Sequence, residues 1–150
     1  MPQSLSKNLI HLIFSTKGRK PVLTREVRED LHRYCAGILK DLDSPPLVMS
    51  FWPDHVHVLF SLNKNLSLAR TVMELKRGSS KWLKTQGPAF KNFYWQNGYG
   101  AFSVSQSAEA EVSRYIARQE EHHRTRPFQE EYRAFLQRYG IEFDERYVWD

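Results

Sequence analysis

Two histidines with the spacing of a metal half-site lie near the middle of the chain. His55 and His57 are two positions apart in residues 54–60 (DHVHVLF), a run that predicts a β-strand. Because side chains alternate between the two faces of a strand, both imidazoles should project from one face of a sheet. Neutral imidazole binds zinc, manganese, nickel or iron, so the pair predicts half of a divalent-metal site. Asp54 should face the other way, which favours a role in the turn over metal ligation.

A tyrosine and a glutamine supply the next candidates. Tyr115 and Gln119 are four residues apart in a predicted helix, and residues at this spacing share one face. A phenol with a pKa of about 10 is a weak nucleophile at neutral pH unless a nearby metal polarises its target. A catalytic metal usually has three protein ligands, and Gln119, His122 and His123 are the candidates for the third. The alternative is a core tyrosine with a solvated glutamine beside it.

The charge balance favours an anionic partner. The chain has 22 Lys and Arg against 17 Asp and Glu, a net charge of +5 and a pI near 9.4. Arg70, Arg77 and Lys81 lie roughly along one side of a predicted helix, and Lys17 and Arg19 occupy a basic loop. These five residues predict a nucleic-acid surface, with a solvated helix face as the plainer alternative.

The elements that would position these residues can be read from periodicity, caps and breakers. The predicted order is a strand at 9–14, a helix at 24–41, strands at 47–52 and 55–62, a helix at 67–84, short strands at 93–96 and 101–104, a helix starting at 105 or 107, and a last helix from 127 to 140. This β-α-β-β-α-β order predicts an α+β, ferredoxin-like or RRM-like antiparallel sheet, with helices mainly on one face plus C-terminal helices. The apolar tail, residues 141–150, is expected to dock on the body or on a second subunit.

Length and composition predict one domain over residues 1–150. The sequence contains no apolar stretch long enough to span a membrane and no visible signal peptide. Cys35, the only cysteine, cannot form an internal disulfide, and its helical apolar neighbours predict a small buried residue. A reducing, cytoplasmic location is the expectation.

Taken together, these motifs resemble a known family. Residues 55–57 resemble the HUH motif (His, hydrophobic, His) of single-strand-specific nucleases. Residues 115–119 (YIARQ) add a Tyr-x-x-x-Gln pattern on a predicted helix. Further similarity lies in residues 10–16, 79–82 and 95–105, so it spans essentially the whole chain. The chain thus resembles the IS200/IS605 transposases, which carry one catalytic tyrosine.

The resemblance implies a role for each matching residue. His55, His57 and Gln119 would bind Mg²⁺ or Mn²⁺, and Tyr115 would attack a phosphate of single-stranded DNA at hairpin-forming element ends. A covalent 5′-phosphotyrosine would form, and a second 3′-hydroxyl would rejoin the strands. The family implies a homodimer acting at the nucleoid of a bacterial or archaeal cell. Whether Tyr115 serves the histidines of its own subunit or of its partner stays open.

Two other functions remain open from the sequence. One is a non-catalytic or domesticated hairpin-DNA-binding protein that keeps the fold and the basic surface. The other is a small-molecule hydrolase with a zinc site formed by His55, His57 and either His122 or His123. Bound zinc without DNA affinity would favour the hydrolase.

Overall fold

A four-stranded antiparallel sheet forms the centre of the protein. The computed structural model describes residues 2–118 and 127–150. Its main elements are β1 (Leu9–Ser15), α1 (Arg25–Asp41), β2 (Pro46–Phe51), β3 (His55–Ser61), α2 (Leu68–Leu83), β4 (Gly100–Val104), α3 (Glu109–Ala117) and α4 (Phe128–Arg138). The strand order is β2-β3-β1-β4, and every pairing is antiparallel. The predicted ferredoxin-like α+β fold is confirmed.

One face of the sheet is covered by α1 and α2. Both helices begin where the sequence predicts, because Thr24 accepts a hydrogen bond from Val27 N and Ser67 accepts one from Arg70 N. Their apolar stripes pack on the side chains that β1 and β3 direct to this face. The buried residues of this core include Leu12, Phe14, Val56, Val58, Phe60, Leu31, Cys35, Leu39, Val72 and Leu75.

The opposite face of the sheet is covered by the C-terminal helices. Ile116 of α3 packs on Leu9, Leu59 and Val104, while α4 packs on Ile13 and Phe102 through an aromatic stripe. Alternation along β3 assigns the odd-numbered residues to this face, which therefore includes both histidines. The helices predicted after the ferredoxin-like unit thus enclose the candidate site.

The apolar tail docks on its own chain. The backbone N–H of Gly98 donates to the carbonyl of Asp150 at 2.7 Å, and the ring of Trp149 lies 5.8 Å from that of Tyr132. Arg133 lies over the same indole at 5.0 Å. The tail is expected from its sequence to dock on the body of the protein or on a second subunit, and in the structure it packs on the body.

The short strand predicted at residues 93–96 is wrong. Within the described residues this segment forms one bridge, from Trp95 to Thr16, whereas the strand predicted at 101–104 is present as β4 (Gly100–Val104). The reason is a side chain: Oε1 of Gln96 accepts the hydrogen bond of Ser15 N at 2.8 Å, where a neighbouring strand would offer a carbonyl. Beyond this contact the two segments still pair through Gln96 N to Ser15 O and Lys17 N to Tyr94 O, but form no regular strand.

Gly100 allows α4 to approach the sheet. A Cβ atom there would lie 2.5 Å from Cε2 and 2.9 Å from the hydroxyl oxygen of Tyr132, which is buried. We expect Gly100→Ala to lower the free energy of unfolding by about 1–3 kcal/mol through overpacking. Gly37→Ala, in α1 with no atom within 4 Å of the added carbon, should instead raise it by about 0.5–1 kcal/mol. Urea denaturation of both variants tests the contrast, and equal effects would contradict it.

Cys35 is buried in the α1–α2 core, as the sequence predicts. Burial raises the pKa of its thiol from 9.0 to about 12, so the reactive thiolate is suppressed. A thiol reagent at pH 8 should therefore label Cys35 only at the rate of unfolding. The thiol stays protonated to a higher pH in the folded protein than in the unfolded chain. Its contribution to the free energy of unfolding is therefore lost as pH rises above 9. A Cys35→Ala variant should lack this loss of stability. Rapid labelling of the native protein would contradict the account.

Within the described ranges, no helix is both long and apolar enough to cross a membrane.

Candidate active site

The two predicted metal ligands lie in the sheet beneath α4. His55 is the first residue of β3 and pairs with Ser15, while His57 pairs with Ile13 of β1. Both imidazoles are buried, with exposed fractions of 1% and 0%. Their ring centroids are 5.3 Å apart, so the expected side-by-side projection from one sheet face is observed.

The ring of His55 is fixed by three neighbours. Its Nδ1 lies 2.6 Å from Oδ1 of Asp54, and the ring stacks on Phe128 at 4.4 Å and on Trp52 at 6.1 Å. Asp54 thus orients the histidine from the turn before β3, a contact of the kind that sets the tautomer of metal-binding imidazoles. A metal at this ring would bind Nε2.

His57 lies between a second histidine and a carboxylate. Its Nδ1 is 3.0 Å from Nε2 of His11, and its Nε2 is 3.0 Å from Oε1 of Glu131. Burial, with His57 adding to it, lowers the pKa of His11 to about 3, so His11 is neutral at pH 7. Nε2 of His57 is thus at ion-pair distance from the Glu131 carboxylate, and the donor in the His11–His57 contact depends on the tautomers of the two rings.

Tyr115 lies beside this histidine cluster. Its ring centroid is 6.3 Å from that of His57 and 6.5 Å from that of His11. The side chain is half-buried and opens on a cavity of about 210 Å³, which Glu131 and Arg138 of α4 also line. A single chain therefore brings its own tyrosine, histidine pair and a guanidinium to one location.

The donor atoms suit a divalent cation only in part. Two imidazoles lie side by side, and the Glu131 carboxylate is an oxygen donor of the kind that Mg²⁺ and Mn²⁺ prefer. That carboxylate contacts Nε2 of His57, the nitrogen that would face a metal, so an ion bound there would replace this contact. Among residues 2–118 and 127–150, no three His, Cys, Asp or Glu side chains are arranged as a metal site.

The remaining predicted ligands are outside the described part of the chain. Gln119, His122 and His123 all fall between the two described ranges. Helix α3 ends at Ala117, two residues after Tyr115. The predicted metal-ligand role of Gln119 therefore stays a prediction.

The basic side chains of α2 lie on the other side of the sheet from the histidines. Arg70 and Arg77 both contact Oε1 of Glu74, at 3.2 and 2.6 Å. Lys76 turns inward and donates to carbonyls of the loop before β4. Lys81 is exposed in the last turn of the helix. The structure does not bring this face together with Tyr115.

The basic loop, in contrast, lies at the same end of the sheet as His55. Lys17 is exposed, and Arg19 lies over the ring of Trp149 at 5.4 Å. Immediately before them, the backbone N–H of Thr16 donates to the carbonyl of Asp54 at 2.9 Å. This contact ties the loop to the residue that orients His55.

Two residues of the site, His11 and Glu131, were not predicted from the sequence. His11 joins the cluster because β1 pairs with β3 in one particular register, which the sequence does not reveal. Glu131 carried a usable signal: it is a charged residue in helical phase with the apolar Phe128 and Phe135. A glutamate on an apolar stripe is a candidate for a buried functional contact.

Comparison with known proteins agrees with this fold. The family model described as "Transposase IS200 like" matches residues 4–119. The chain belongs to this family of IS200-like transposases, which are DNA-cleaving enzymes.

Individual relatives support the same assignment. The ISDra2 transposase TnpA of Deinococcus radiodurans is 29% identical over 114 residues, covering 73% of this chain and 81% of the relative. A crystal structure of a candidate transposase from Deinococcus radiodurans R1 has a TM-score of 0.62 at 25% identity, covering 79% of this chain and 98% of that one. A REP-associated tyrosine transposase bound to a REP hairpin shares the fold, with a TM-score of 0.56 at 15% identity, covering 77% and 68%.

Proposed function

We propose that this transposase cleaves and rejoins single-stranded DNA at insertion-element ends through a covalent 5′-phosphotyrosine on Tyr115. The observation that carries the proposal is the position of Tyr115, whose ring lies 6.3 Å from that of His57. A nucleophile and a metal half-site are thereby adjacent within a member of a DNA-cleaving family.

Tyr115 is the group that reacts. Its phenolic oxygen attacks a backbone phosphorus, the bond to the 3′-oxygen breaks, and the departing strand end takes a proton as a 3′-hydroxyl. In the second step another 3′-hydroxyl attacks the same phosphorus, and the tyrosine leaves with a proton. One phosphodiester is exchanged for another, so rejoining requires no added energy source.

His55 and His57 would hold a divalent cation, with Gln119 as the third ligand. When bound, Mg²⁺ or Mn²⁺ supplies Lewis-acid polarisation of the scissile phosphate. Two imidazoles favour Mn²⁺ over Mg²⁺, which prefers an all-oxygen shell. Asp54 and His11 act through the histidines, because each contacts a ring nitrogen and orients it.

The DNA substrate would lie along basic surfaces. Lys17 and Arg19 are at the histidine end of the sheet, whereas Arg70, Arg77 and Lys81 would contact DNA outside the cleavage site. A net charge of +5 supports phosphate binding. Hairpin-forming ends are proposed as substrates because a structural neighbour is bound to a REP hairpin.

A homodimer is part of the proposal. Of the two observations that favoured it, the apolar tail no longer does. The apolar tail docks on its own chain, so the dimer now rests on the family resemblance alone. Light scattering at micromolar concentration tests it, and a monomer at every concentration would reject it.

Because α4 covers the candidate site, a second function is also consistent with the structure. Phe128 stacks on His55, and Glu131 contacts His57, so both imidazoles are covered. A non-catalytic or domesticated hairpin-DNA-binding protein of this fold would tolerate such a closed site. It would bind hairpins and cleave none.

The test is incubation of the full chain with hairpin-bearing single-stranded DNA and Mn²⁺. A protein–DNA adduct that persists on a denaturing gel, and that a chelator prevents, is the expected result. Hairpin binding without an adduct would support the non-catalytic alternative. Tight zinc binding without DNA affinity would reject both in favour of a hydrolase.

A further inference from the structure

A pocket of about 310 Å³ lies between the loop after β1 and the segment before β4. Lys17 N donates to the carbonyl of Tyr94 at 2.8 Å, and Thr16 forms a β-bridge with Trp95, so the two walls are joined by backbone hydrogen bonds. The pocket is therefore formed before any ligand arrives. Its volume is at the lower end of the range for small-molecule sites, about 300–1,000 Å³, which suits one flat group and excludes a duplex.

The lining combines three kinds of chemistry. Val22 and Phe93 supply apolar surface, Lys17 and Lys20 supply two cations, and Asn92 supplies an amide with both a donor and an acceptor. Within the part of the chain that the structure describes, no carboxylate lines this pocket. An apolar, planar ligand with hydrogen-bonding edges and an attached negative charge fits this lining, and a nucleotide has these properties.

Tyr94 provides the aromatic surface that such a ligand requires. Tyr94 is 62% exposed, which is unusual for a large aromatic residue at the edge of a pocket. Lys84 Nζ lies 4.7 Å from the ring centroid on α2's side, adding a further cation near a stacked nucleotide. Exposed aromatics flanked by lysines are typical of surfaces that stack unpaired bases.

The pocket adjoins the candidate active site through the backbone. Thr16, which lines it, contacts the carbonyl of Asp54 through its N–H at 2.9 Å and its hydroxyl at 3.3 Å. Asp54 in turn holds Nδ1 of His55. The pocket is thus linked to His55 through Thr16 and Asp54, while Tyr115 packs nearer the other end of the sheet, with Leu9, Leu59 and Val104.

We propose that this pocket binds one unpaired nucleotide of the single-stranded DNA, with its base on Tyr94 and its phosphate on Lys17 and Lys20. The inference rests on the proposed function, for which it names a subsite. Asn92 would contact the edge of the base and give this position sequence preference.

The test measures DNA binding without chemistry, in the presence of a chelator. The probes are a DNA hairpin with a short single-stranded 5′ extension and the same hairpin without it. Tyr94→Ala should weaken binding of the extended hairpin by about 5- to 150-fold, the range for loss of one stacked base, and leave the blunt hairpin unchanged. Tyr94→Phe should bind like the wild type. Tyr147→Ala, at a tail residue of similar exposure (64%), is the matched control.

A second variant measures the phosphate contact. Lys17→Gln and Lys20→Gln together should reduce the salt dependence of binding to the extended hairpin, by about 0.7 in the logarithmic slope for each lysine. Equal affinity of Tyr94→Ala and wild type for the extended hairpin would overturn the proposal, as would equal losses on both probes. This failure is distinct from failure of the proposed function, which is absence of the Mn²⁺-dependent adduct in the wild type.

Discussion

Tyr115→Phe should abolish the covalent protein–DNA adduct, reducing it by at least about 10³-fold, and leave hairpin binding intact. The variant removes one oxygen, the atom that would bond to phosphorus, and retains the ring that packs beside His11 and His57. Loss of the hydroxyl should change the free energy of unfolding by about 1 kcal/mol at most. Denaturing gels for the adduct and anisotropy for hairpin binding give the two readouts.

Tyr139→Phe is the matched control for this variant. Tyr139 lies just after α4, stacks on Phe102 of the same sheet face and is 44% exposed. It loses the same atom near the site and should form the adduct at the wild-type rate. An adduct that persists in Tyr115→Phe would assign the nucleophile to another residue.

The second large effect is expected for His55→Phe. Phenylalanine fills the space between Phe128 and Trp52 and keeps the stacking, but it has no nitrogen to bind a metal. Asp54, which loses its contact with Nδ1 of His55, has a side chain that is 30% exposed and can be hydrated. We therefore expect a folded protein whose Mn²⁺ affinity is at least about 100-fold weaker and which forms no adduct.

Mn²⁺ binding measured by electron paramagnetic resonance separates this loss from a loss of DNA binding. His32→Phe is the control, because His32 is an exposed histidine of α1 whose ring lies tilted 5.5 Å from that of Phe51, outside the candidate site. It should bind Mn²⁺ like the wild type. Unchanged Mn²⁺ affinity in His55→Phe would remove the histidine pair from the metal site.

The parts of the fold that the sequence predicts correctly are those set by local chemistry. Thr24 and Ser67 cap their helices because each side chain satisfies a backbone N–H three residues later. The shared face of His55 and His57 follows from the two-residue period of a strand. Both arguments need only a few neighbouring residues.

The contacts that sequence reasoning missed depend on packing between distant segments. Glu131 contacts His57 only because α4 docks on the second face of the sheet, and His11 contacts His57 only through the register of β1 on β3. The side chain of Gln96 accepts the hydrogen bond of Ser15 N that a strand carbonyl would otherwise accept. Backbone propensities do not predict such a side-chain contact. Tertiary structure decides each of these, so the sequence indicates the site and leaves its inner contacts undetermined.

The most direct test of the central claim is the identity of the residue that carries the DNA. Trypsin cuts after Arg114 and Arg118, so the adduct formed with Mn²⁺ can be digested with nuclease and trypsin and sequenced by tandem mass spectrometry. A nucleotide phosphate on Tyr115, in the peptide 115–118, is the result predicted here. A phosphate on any other residue, or no modified peptide from a protein that binds hairpins, would contradict the account.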